Sequence, residues 1–114
     1  MLWELCKHLK KICPIYMEVM DEDENSIPSN YVLIQENSFD ESYAEGDGQS
    51  LVRKRSFNIR IHCKDRSKIP AIVSGYRSVL YTNNIPFTQY GPVYSPSDGF
   101  TSINISGSYL YGEH

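Results

Sequence analysis

The chain reads as one α+β domain, a largely antiparallel sheet with an N-terminal helix and a second helix packed on one face. Three observations lead there. Two segments, 2–13 and 69–83, carry apolar residues at helical spacing. Several others alternate apolar and polar residues, the longest from Leu51 to Cys63. Nine Tyr, seven Gly and six Pro punctuate 114 residues of 40% apolar content, a composition that leans toward β-structure. That length suits a single domain spanning 1–114, able to bury a modest core without cross-links.

Leu2, Leu5, Cys6, Leu9, Ile12 and Cys13 form one stripe of the first helix, with Glu4, Lys7, Lys10 and Lys11 between them. Pro14 ends it, because the residue before a proline disfavours the α region. Residues 15–19 read as a short strand, and 21–26 as a solvated acidic turn. Pro28 and Asn30 lead into a strand over 31–36, with Tyr31, Leu33 and Gln35 on one face and Val32, Ile34 and Glu36 on the other. The stretch 38–50 is a long loop by composition, with Gly46, Gly48 and scattered acids. In the next strand Phe57, Ile59, Ile61 and Cys63 point one way and Ser56, Asn58, Arg60 and His62 the other. Asp65 or Ser67 can cap the second helix, Pro70 is tolerated in its first turn, and Asn83-Asn84 can supply a left-handed C-terminal residue. A strand over 87–94 is broken at Gly91-Pro92, a turn follows at 95–99, and a last strand alternates from Phe100 to Tyr111. The expected order is α-β-β-β-α-β-β.

Charge is unevenly spread. Residues 1–50 hold three Lys/Arg and eleven Asp/Glu, whereas residues 51–80 hold eight Lys/Arg and one Asp. Such segments either neutralise each other within one fold or meet between copies of the protein. The net charge of −3 argues against a nucleic-acid or membrane-surface role. Three Cys with no paired spacing read as small apolar residues in a reducing compartment. No segment is long enough to span a membrane, and the first residues lack the pattern of a signal peptide, so a cytoplasmic site of synthesis is expected.

Chemistry finds little support. His62 and Cys63 are neighbours on a strand and face opposite sides, so they cannot share a metal. Residues 21–25 (DEDEN) resemble the start of a calcium loop without its glycine and terminal glutamate. There is no nucleophile elbow or phosphate loop. Arg53, Lys54, Arg55 and Arg60 are split between both faces of one strand, unlike the one-sided, aromatic-interleaved groove of a single-strand binder. No catalytic residue, metal or cofactor is assigned.

The stretches IPSNYVLIQE (27–36), ESYAEGD (41–47), RSFNIRIHCKD (55–65) and FTSINISGSYLYGE (100–113), with the helix between the last two, carry a likeness over nearly the whole chain. In order and punctuation they resemble the tail terminator proteins (tail completion, or tail-to-head joining) of long-tailed bacteriophages. This chain departs from the pattern at 83–86, Asn-Asn-Ile-Pro, where many relatives place Gly and an aromatic. The resemblance implies a non-enzymatic virion protein at the neck: a homohexameric ring that caps the tail tube protein, ends its polymerisation and joins the tail to the head-side connector or stopper. DNA would pass through the lumen without sequence-specific binding. A ring needs one patch to bind a different patch on the next copy. Phe39 and Tyr43 in the loop are candidate aromatic anchors, with Arg53, Lys54 and Arg55 as charge partners. Asp21, Glu22, Asp23 and Glu24 are candidates for an acidic lumen lining that repels phosphate. The alternative is a small adaptor domain that binds a foreign protein.

Overall fold

The computed structural model describes residues 2–17, 28–41 and 52–112, and their side chains except those at 3, 17, 38–41, 52, 53 and 110–112. Within them the order is α1 (Leu2–Cys6), a 3-10 turn (Lys7–Lys11), β1 (Ile15–Met17), β2 (Asn30–Glu41), β3 (Val52–Cys63), a 3-10 turn (Arg66–Lys68), α2 (Ile69–Thr82), β4 (Phe87–Tyr94) and β5 (Thr101–Gly112). The fold is the expected α+β one: a five-stranded sheet in the order β1-β2-β3-β5-β4, antiparallel except for the β1–β2 pair.

Alternation decides which face is buried. Val32 and Ile34 of β2, Phe57, Ile59, Ile61 and Cys63 of β3, and Ile103 and Ile105 of β5 all lie under the two helices. The opposite face carries Tyr31, Leu33, Gln35, Ser56, Asn58, Arg60, His62, Ser102 and Asn104, and none of these is buried. The helices answer with Leu2, Cys6, Leu9 and Cys13 from the N-terminal segment and Ile72, Tyr76, Val79 and Leu80 from α2.

The first helix departs from expectation. Its α-helical part is five residues, and the chain tightens into a 3-10 turn from Lys7. Ile12, placed on the apolar stripe by spacing, is 48% exposed. Neighbouring residues of a helical turn stand about 100° apart, and Cys13 takes the inward place. The second helix keeps its expected apolar stripe, but the cap falls one turn early: Asp65 accepts from the Ser67 N–H at 3.0 Å and starts the 3-10 turn Arg66–Lys68, while α2 itself begins after Lys68 with no side-chain cap. At the other end Asn84 adopts φ 56° and the Ile85 N–H reaches the Leu80 carbonyl at 2.9 Å, a left-handed close.

One strand is longer than expected. β2 continues to Glu41, opposite the start of β3 at Val52, so 38–41 belong to a strand rather than to the loop that composition suggested. Full cross-strand pairing from Asn30↔Cys63 to Glu41↔Val52 supplies backbone partners that outweigh the local preference of Ser, Asp and Glu for turns. β4 is one strand, and the expected break at Gly91-Pro92 is a register shift between Tyr90 and Val93.

Candidate assembly interface

β2, β3 and β5 run past the residues that pair with β1 and β4, forming a three-stranded extension of a molecule 54 × 28 × 24 Å in extent. This extension holds most of the residues singled out for contact with another chain. Phe39 pairs in register with Lys54, Asp40 with Arg53 and Ser38 with Arg55. The acidic end of one strand therefore lies along the basic end of the next, the arrangement in which cross-strand opposite charges support each other.

Arg55 is engaged inside the chain. Its guanidinium meets the Glu36 carboxylate at 3.6 Å, with both side chains mostly covered. Glu36 also accepts from the Leu2 N–H at 2.9 Å, at the start of α1, where negative charge is favoured. The basic end of β3 thus helps seat the first helix. Lys54 stands on the face away from the helices and is half-buried. Tyr43 and the acidic group Asp21, Glu22, Asp23 and Glu24 lie outside the described residues, as do the side chains of Phe39 and Arg53.

At the other end of the open face the register gathers an aromatic row that the sequence did not single out. Tyr31 of β2 stacks on His62 of β3 at 4.9 Å, and Phe100 meets Tyr31 edge-on at 5.6 Å. The Lys64 ammonium lies 5.0 Å from the Phe100 ring centre, and His62 shares a 2.9 Å hydrogen bond with the Ser102 hydroxyl. Burial, and then the nearby Arg60 charge, hold the His62 pKa below its ordinary value, while Asp98 opposes them. Neighbours so distant in sequence become visible only once β2, β3 and β5 are aligned.

The buried reactive groups are structural in character. Burial pushes the Cys6 and Cys13 thiols up to about 12, and raises that of Cys63, so none is a thiolate near neutrality. The Tyr76 hydroxyl is buried without a hydrogen-bond partner among the described residues, and burial raises its pKa too. No cluster of His, Cys, Asp or Glu able to hold a metal occurs among the described residues. No helix among them is long and apolar enough to cross a membrane.

The remaining exposed apolar groups on α2 and β4 fall on two faces: Tyr81 borders a helix-side cleft with Phe87, whereas Tyr90 and Val93 stand on the open face beside Arg60, His62, Ser102 and Asn104. A sequence signal for the helix-side surface exists, because residues 66–97 contain three cations and no carboxylate. No protein-family model matches the chain, and none of the curated proteins matches it.

Proposed function

We propose that the chain is a structural assembly protein of the phage neck. It forms a ring that caps the tail tube, ends its growth and joins the tail to the head-side connector, with no reaction catalysed. One observation carries the reading: opposite charge is segregated along the chain of one small domain. Eleven carboxylates fall in residues 1–50, and none falls between Arg66 and Ser97. Head-to-tail contact between copies joins two different patches, and complementary charge sets their register. The resemblance of the strand and helix pattern to tail terminators supplies the biological setting. In this reading Asp21–Glu24 face the lumen and keep DNA from adhering as it slides.

The test uses tail-tube protein from the same genome. Purified chain added during tube polymerisation is expected to arrest growth and appear as a cap at one tube end in electron micrographs. Tubes that elongate unchanged, with no chain bound, overturn the reading. The exposed Tyr90 and Val93 beside His62 on the open face favour the adaptor alternative, since a foreign partner could cover them. That alternative requires a chain that ignores tail tubes and stays monomeric until its partner is supplied.

A further inference from the structure

β4 is the strand that the fold leaves unfinished. It is the last in the sheet, and among the described residues only β5 pairs with it. None of its eight residues is buried, and Phe87 and Gln89 stand on the side that faces α2, whereas Tyr90 and Val93 point to the other face. Beside it, α2 turns Tyr81 to solvent, edge-on to Phe87 at 5.4 Å. Arg77 lies over the same Phe87 ring at 5.7 Å. Between helix and strand runs an open cleft of about 850 Å³, with Leu80, Ile85 and Phe87 in its wall. A second hollow of about 480 Å³ continues along α2 and shares Arg77 and Tyr81 with the first.

We propose that this α2–β4 cleft receives a second copy of the chain through that copy's stretch 39–47. The inference rests on the assembly reading above and names its docking surface. Charge selects the occupant. Arg77 is the charged residue that lines both hollows, and the surrounding segment 66–97 holds no acid, whereas 39–47 carries Asp40, Glu41, Glu45 and Asp47 and no base. The same stretch brings Phe39 and Tyr43, the residue type that anchors interfaces when seated in an apolar pocket beside arginine.

Topology agrees. β2, which leads into the stretch, and β4 stand three strand spacings apart, with β3 and β5 between them. That is about 14 Å across the sheet. The strand that leads to the donor stretch and the strand that borders the cleft are therefore different parts of the sheet, and a head-to-tail contact joins two different patches. Docking works by side chains rather than by an added strand. Pro92 has no N–H to offer and the register shifts beside it, which blunts the edge beyond Tyr90. Gly91 is fixed in that bulge: at φ 103° a Cβ would come within 2.6 Å of the Ser102 carbonyl oxygen.

Sedimentation velocity over a wide concentration range, at low and high salt, tests the site. The native chain is expected to self-associate, more weakly as salt rises. Arg77→Glu and, separately, Tyr81→Ser each weaken association at least about tenfold while leaving the melting curve of dilute protein nearly in place, since both residues are exposed. A chain with Glu41→Lys and Glu45→Lys also fails alone, but mixing it with the Arg77→Glu chain restores association by reversing both charges. Association that is indifferent to Arg77 and Tyr81 overturns this docking site and leaves the assembly reading standing. A native chain that stays monomeric at every concentration overturns the docking site and the ring together.

Discussion

β3 and β4 are both strands with four large apolar side chains or more, yet they have opposite fates. In β3, Phe57, Ile59, Ile61 and Cys63 are almost wholly shielded, with paired strands on both sides and helices above. In β4 nothing is buried, because it lies at the edge and α2 stops short of covering it. Apolar side chains in the first place stabilise the fold, and those in the second are available to a partner. One sheet thus separates the residues that hold the domain together from those that can recognise something else.

The sharpest test of this contrast is Ile59→Ala, which empties a fully shielded site at the centre of β3. Loss of transfer energy together with the cavity left behind should cost about 2–5 kcal/mol, a large part of the stability of a domain this small. Urea unfolding is the measurement, and a loss near zero would mean that β3 is not the centre of the core. Gly91→Ala should come next, at about 1–3 kcal/mol, because the new Cβ collides with the Ser102 carbonyl and the backbone there is left-handed. Its damage should stay local. Hydrogen exchange should quicken in β4 and the facing edge of β5 while β2 and β3 keep their protection; uniform loss would show that β4 is part of the same cooperative unit as β3.

Glu36→Gln should cost about 1 kcal/mol in the same unfolding measurement, since it removes the charge that serves both Arg55 and the start of α1. This residue also marks where sequence reading reached its limit. The alternation that buries Ile59 and Ile61 was legible, as was the left-handed Asn84, because each depends on nearby residues alone. Leu2, Glu36 and Arg55 meet from three elements, and nothing local to any one announces it. The strand at 38–41 was hidden for a similar reason: its residues favour turns and are held extended by pairing with 52–55. The order that puts β5 between β3 and β4 decides which aromatics become exposed, and that order is a property of the whole chain.

The aromatic row gives a smaller effect with a definite sign. Folding holds the His62 pKa below the 6.5 of a free imidazole, chiefly by burial and then through Arg60. As pH falls through the window just below 6.5, the unfolded chain takes up a proton that the folded chain resists, so stability declines. His62→Gln should remove this part of the decline. Melting temperatures of the two proteins should converge as pH is lowered through that window, and parallel curves would show that His62 titrates equally in both states.

The smallest effect on folding belongs to Tyr90→Ser, and it bears most directly on the contrast between the strands. Tyr90 is as large as the side chains buried along β3, so a stability role would make its loss costly. Being 63% exposed on an edge strand, it has little burial to lose, and the expected change is within about 0.5 kcal/mol. Tyr81→Ser on α2 should behave alike, although its edge-on contact with Phe87 makes a slightly larger loss reasonable. Unfolding measured on dilute protein separates these contributions from association, because a contact between copies stabilises the native state only as concentration rises. A native chain whose melting temperature climbs with concentration, beside a Tyr81→Ser chain whose melting temperature does not, would place the cleft beside β4 at the contact between copies. Equal slopes would return Tyr81 to the ordinary surface and leave β3 as the strand with an assigned task.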